Sequence, residues 1–241
     1  MADPIFEDPR LAAIYDSFDG ERGDLGHYLA IARELRAHSV LDVGCGTGSF
    51  ACLLAGHGFD VIGLDPAEAS LAIARRKPHA DRVRWVQGDA SVLPSINVDL
   101  AVMTGNVAQV FLTDEMFEET LRTIRSRLAP AGHLVFEVRK PEVQAWREWT
   151  PERTKQRIAI ENVGVVTGWC EVIDTVDDLV SFRWTYRFEA DGIELSSDST
   201  LRFRSEDSIR ELLGETNYVV KEVREAPDRP GKELVFFASP Q

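Results

Sequence analysis

Between Val40 and Gly48 the chain reads Val-Leu-Asp-Val-Gly-Cys-Gly-Thr-Gly, an order that few folds accommodate. An apolar run stops at three glycines on alternate positions, and a helical pattern begins at about Ser49. Glycine lets the backbone turn sharply and lets a ligand approach without a side chain in the way. A helix that starts just past such a turn offers free N–H groups and the positive end of its dipole. The stretch therefore predicts a buried strand, a ligand-holding turn and a helix. A dinucleotide fingerprint, Gly-x-Gly-x-x-Gly, would need its third glycine where the chain has Ser49; here it falls at Gly48. That spacing speaks against a nicotinamide-dependent oxidoreductase, the obvious rival for such a loop.

The same alternation continues to about Arg139. Short apolar runs at 38–43, 60–64, 82–86, 98–103 and 133–138 are separated by helical patterns. Such runs suit strands buried on both faces by helices. The clearest helix is expected over 114–128, capped by Thr113, with Phe117, Leu121, Ile124 and Leu128 on one face. After Lys140 the period changes. Val180, Phe182, Trp184, Tyr186 and Phe188 alternate with polar residues, and Asp191-Gly192 marks a hairpin returning over 193–203. A preceding strand is expected over 169–174. Ser205 is placed to cap a short helix ending at Gly214, and two final strands follow over 218–223 and 233–238.

The expected fold is α/β: a Rossmann-like, doubly wound, mostly parallel sheet with an antiparallel final hairpin and an inserted antiparallel β meander. Residues 1–38 form an N-terminal helical cap. Residues 39–140 and 205–241 form the nucleotide-binding domain, and 141–204 an inserted substrate or lid region. The aromatic face of the meander has two readings: packing on the protein's own core, or roofing an apolar acceptor pocket. Trp146 and Trp149 share that ambiguity.

The glycine stretch resembles motif I of class I S-adenosylmethionine-dependent methyltransferases, and the resemblance extends from about Tyr15 to the end. It implies S-adenosylmethionine as cofactor, with Gly44, Cys45, Gly46 and Gly48 against its amino-acid end and ribose. Asp42 would act through loop geometry or on the methionine ammonium. Asp65, followed by Pro66, lies 17 positions beyond Gly48 at the end of the second apolar run, where a carboxylate can accept from both ribose hydroxyls. Asp89 would accept from the adenine amino group, with the Ala90 N–H beside the ring. Thr104 and Gly105 would flank the methionine part. Asn106 is counted with them, and Asn106 and Gln109 could also face the acceptor. Tyr15, in a segment similar to the one that folds over the cofactor in small-molecule members, completes the set.

The implied reaction is methyl transfer to an oxygen, nitrogen or carbon of a small-molecule acceptor by in-line displacement. The alternative is a non-catalytic protein that binds S-adenosylmethionine or S-adenosylhomocysteine. No catalytic residue is assigned. His38 and His133 sit at the wrong strand ends, His57 and His79 near helix ends, and only His27 falls near the expected acceptor side. Glu137 and Arg139 can touch substrate or form a pair of their own. No metal is expected, since the acid cluster of the metal-dependent type has no counterpart. The formal net charge of −13, with no basic run, argues against a nucleic-acid partner. No apolar run is long enough to span a membrane. The acidic start lacks a signal-peptide pattern, and three unpatterned cysteines suit a reducing cytoplasm. An exposed meander edge leaves a homodimer open.

Overall fold

The computed structural model describes residues 2–20 and 22–241. The described chain folds in the order α1 (Pro4–Glu7), α2 (Pro9–Asp19), α3 (Leu25–Glu34), β1 (Ser39–Val43), α4 (Ser49–Gly56), β2 (Asp60–Asp65), α5 (Glu68–Ala74), β3 (Val83–Gln87), β4 (Val98–Met103), α6 (Asp114–Arg125), β5 (Leu128–Arg139), α7 (Pro151–Thr154), β6 (Gln156–Ile160), β7 (Gly164–Val176), β8 (Leu179–Phe188), β9 (Glu194–Arg202), α8 (Glu206–Glu215), β10 (Tyr218–Glu225) and β11 (Glu233–Pro240).

Seven strands form one sheet in the order β10-β11-β5-β4-β1-β2-β3. β1 to β5 run parallel, and β11 enters antiparallel between β5 and β10. The order reverses between β1 and β4, which opens a crevice at their carboxyl ends. Neighbouring residues of one strand enter opposite cores. Leu41, Met103 and Phe136 pack with α6 and α8, while Val40, Val102 and Val135 pack with α3 and α4. This two-sided burial is why the strands read as continuous apolar runs.

Two boundaries differ from the sequence reading. α6 stops at Arg125 rather than 128, because Leu128 already pairs with Val98. β5 therefore starts early and carries Pro130 to Gly132 in an irregularity before His133 resumes the register opposite Leu100. α8 runs through Gly214 to Glu215, and the left-handed residue beyond it is Asn217.

The second sheet, β6-β7-β8-β9, is wholly antiparallel. β7 begins at Gly164, earlier than the expected 169, and β6 had no counterpart in the sequence reading. The turn at Gly192 falls where the Asp191-Gly192 signal placed it, and a second turn lies at Asp177. Its aromatic face divides. Tyr186 and Phe188 are buried against Leu11, Ile14 and Phe18 of α2, with Phe18 edge-on to Tyr186 at 5.0 Å. Phe182 instead meets Trp149 at 4.7 Å, and Trp146 meets Phe203 at 4.5 Å. The meander thus holds the N-terminal helices at one end and two tryptophans at the other. The outer face carries Arg183–Asp198 and Arg187–Glu194 pairs, each worth little by itself in solvent.

Phe188→Ala is expected to destabilise the protein by about 3–5 kcal/mol, because a 2%-exposed ring is lost from that contact. Urea unfolding measures it, and a change under about 1 kcal/mol contradicts the packing described.

Candidate active site

The turn between β1 and α4 is fixed by one acceptor. The Leu64 carbonyl, near the end of β2, accepts from Gly44 N at 2.8 Å and Cys45 N at 3.0 Å. Gly44, Gly46 and Gly48 all have positive φ. Two of them show why glycine is needed. A Cβ at Gly48 would lie 2.5 Å from the Trp85 ring, whereas a Cβ at Gly46 would meet nothing within 4 Å. The first glycine lets the loop pack down, and the second faces open space for a ligand.

Asp65 ends β2 beside this turn. Its Oδ2 accepts from Gly46 N at 2.7 Å and its Oδ1 from Ala67 N at 2.8 Å. Each oxygen keeps a further lone pair for ribose hydroxyls. Burial raises its pKa, and the two N–H donors oppose the rise. Pro66, next to it, is exposed. Asp89, after β3, is exposed and caps the short turn 90–92 through Ser91, whose hydroxyl and N–H lower its pKa. Ala90 behind it is buried.

Asp42 lies inside β1, 1% exposed, and neither carboxyl oxygen has a hydrogen-bond partner. Burial pushes its pKa up to about 7, with Arg22 opposing and Asp65 adding to the rise. Unpartnered buried oxygens beneath the glycine turn fit a cationic or hydrogen-bonding ligand group. The residues present thus suit an adenosyl cofactor: an open glycine turn, a ribose acceptor and an acid for the amino-acid end.

Thr104, Gly105 and Asn106 follow β4. Glu137 of β5 holds them, its Oε1 accepting from Gly105 N at 2.6 Å and Asn106 N at 3.2 Å while Tyr28 donates to its other oxygen. Glu137 is therefore not the partner of Arg139. Gln109 stands behind Arg139. It is 1% exposed, donates to the Arg202 carbonyl and accepts from Arg139. Asn106 is buried, donates to Glu233 and leaves its Oδ1 without a donor.

A polar cavity of about 110 Å³ opens here, lined by Tyr15, Arg22, Gly105, Asn106, Arg139 and Glu233 among others. The structure brings Tyr15 to the same cavity as the Gly105–Asn106 turn. Arg22, Arg229 and Glu233 escaped that reading, since single charged residues in turns and at strand starts carry no periodic signal. Of the histidines, His27 is exposed and none lines the cavity. Among the described residues no group of three or more His, Cys, Asp or Glu side chains is arranged to hold a metal. No described helix is long and apolar enough to cross a membrane.

α2 is latched to the glycine turn. Thr47 donates to Asp16 of α2 at 2.6 Å, and Lys77 bridges Asp16, Thr47 and Ser49 at 2.6, 3.1 and 2.7 Å.

Asp42 sets a pH dependence. Between about 4 and 7 the folded protein keeps a proton there that the unfolded chain has lost. Folding takes up that proton, so stability falls as pH rises through the window. Relative to Asp42→Asn, the parent protein is expected to lose on the order of 4 kcal/mol across it. Melting temperatures of the two proteins measured side by side test this, and parallel curves contradict it.

Residues 40–132 match the family described as methyltransferase domain. An uncharacterized methyltransferase of Oceanobacillus iheyensis is 31% identical over 140 residues, 55% of this chain and 64% of its own. The chain spans under two thirds of the length of the curated relatives it matches. The CcbJ methyltransferase from Streptomyces caelestis superposes with a TM-score of 0.77 at 19% identity, over 98% of this chain and 96% of that one. A sugar N-methyltransferase from a Streptoalloteichus species gives 0.76 at 20% identity, over 94% and 92%. At such identities the likeness is one of fold. With a methyltransferase-domain match over residues 40–132, its glycine turn and a fold shared along nearly the whole length, the chain is similar to the class I methyltransferases, whose cofactor is S-adenosylmethionine.

Proposed function

We propose that the protein transfers a methyl group from S-adenosylmethionine to a small-molecule acceptor. The observation that carries this reading is the row of acids along one sheet edge: Asp42 under the glycine turn, Asp65 after β2 and Asp89 after β3. In this reading the turn of Gly44, Cys45, Gly46 and Gly48 holds the amino-acid end with Asp42. Asp65 and Pro66 take the ribose, and Asp89 and Ala90 the adenine. Tyr15, Thr104, Gly105 and Asn106 border the methionine part and the acceptor.

The cofactor supplies an electrophilic methyl group when bound, so the chain's own task is to bind, align and exclude water. Alignment of the reacting atoms can be worth about 7–11 kcal/mol. Residues 1–38 act as the cap over this site, through the Asp16–Thr47 latch. Residues 39–140 and 205–241 carry the cofactor, and 141–204 close the acceptor side with Trp149 and Trp184. A polar cavity of small volume supports a small acceptor rather than a polymer.

Titration calorimetry with S-adenosylmethionine and S-adenosylhomocysteine is expected to show binding of both, and Asp65→Ala is expected to weaken it about tenfold or more. Unchanged affinity in that variant contradicts the ribose assignment. Transfer of a labelled methyl group to a panel of small acceptors then tests turnover. Tight binding with no transfer to any acceptor would instead favour a non-catalytic binding protein.

A further inference from the structure

We propose that Arg139 anchors a carboxylate carried by the methyl acceptor, an inference that rests on reading the polar cavity as the acceptor side of the site. Arg139 is the last residue of β5, at the carboxyl end of the sheet where ligands of open α/β folds bind. Three arginines line the cavity, and two have close partners. Arg22 grips Asp24 with Nε at 2.9 Å and Nη2 at 2.6 Å, and its Nη1 reaches Asp19 at 3.2 Å. Arg229 donates from Nη1 to Glu233 Oε1 at 2.6 Å.

Arg139 has only distant partners. Its Nη1 is 3.3 Å from the Gln109 amide oxygen. Its Nε is 3.5 Å from Glu233 Oε1, the oxygen that Arg229 already holds. Its Nη2 donates to no group among the described residues. The side chain is 21% exposed, so the N–H groups left without a close partner meet whatever fills the cavity, water or ligand. A guanidinium removed from water needs charge-assisted hydrogen bonds to its N–H groups. Here one carboxylate is divided between two guanidinium groups.

The surroundings decide what can complete it. The Trp149 ring lies 5.7 Å from the guanidinium carbon and takes one face of the plane, which leaves the N–H edge for a ligand. The other carboxylates of the lining are turned elsewhere: Asp19 and Asp24 to Arg22, Asp228 to Arg229 at 3.6 Å, and Glu137 to Tyr28 and the Gly105 and Asn106 N–H groups. At about 30 Å³ per water, the cavity of about 110 Å³ has room for about four water-sized groups. That suits a carboxylate and the atoms beside it. A planar two-oxygen anion also matches the guanidinium fork, which a lysine would not offer.

The test is calorimetric titration of the folded, S-adenosylhomocysteine-loaded protein with sodium acetate, acetamide and inorganic phosphate at constant ionic strength. Acetate is expected to bind, with acetamide weaker by about tenfold or more. In Arg139→Gln acetate binding falls by about tenfold or more, while Arg139→Lys keeps part of it and both variants keep S-adenosylhomocysteine affinity within about twofold. Equal acetate affinity in Arg139→Gln overturns the proposal, as does a parent protein that does not bind acetate. Phosphate binding tighter than acetate overturns the carboxylate assignment. If Arg139→Gln does not fold, Arg139→Lys decides: acetate affinity equal to the parent's overturns the bidentate anchor. Failure to bind S-adenosylhomocysteine refutes the methyltransferase reading separately, and acetate titration of the cofactor-free protein then decides the role of Arg139.

Discussion

One carbonyl holds the site in register. Leu64 O accepts from both Gly44 N and Cys45 N, which ties the turn after β1 to the end of β2. Because the turn is tied there, Gly46 N falls on the Asp65 carboxylate, and Gly48 can pack against Trp85 and Ala74. Backbone N–H groups gathered this way form a concave, electropositive seat. Glycine is required at 48 because a Cβ there would lie 2.5 Å from the Trp85 indole. The turn, the acid and the start of α4 are one unit, so a ligand seated there meets all three together.

The parts of the fold legible in the sequence were those with a period. Five buried strands announced themselves as apolar runs because both faces are covered, and β8 did so by strict alternation because one face is solvated. β6 was silent. Gln156–Ile160 alternates weakly, and its pairing with β7 is specified by the partner strand rather than by its own residues. The early start of β5 was hidden by Pro130 to Gly132, which read as a terminator but sits in an irregularity within the strand. In the site, glycines and acids at strand ends could be read by spacing. Arg22, Arg229 and Glu233 could not, because their roles come from three distant segments meeting at one cavity. Glu137 and Arg139 were visible as candidates, and only coordinates separate their tasks: Glu137 fixes the Gly105–Asn106 turn, and Arg139 faces the cavity.

Charge networks position the pieces that close over the sheet. Arg202 of β9 reaches Asp178 at the β7–β8 turn and Asp114 at the start of α6, and Arg204 shares Asp114. Gln109 continues the connection from the Arg202 carbonyl to Arg139. Such pairs add little net stability after desolvation, but a broken one is costly. They therefore select one placement of the meander against the sheet. The N-terminal helices are set by an apolar contact with Tyr186 and Phe188 and by the Asp16–Thr47–Lys77 cluster. Two unrelated surfaces, one apolar and one charged, thus fix α2, which lends Tyr15 and Asp19 to the cavity.

The most direct test of this account is a crystal structure of the protein with S-adenosylhomocysteine. The account places the ribose hydroxyls on Asp65, the adenine beside Asp89 and Ala90, and the amino-acid end over Gly44 to Gly46 near Asp42. A ligand bound in the reverse direction, or at another edge of the sheet, would contradict it.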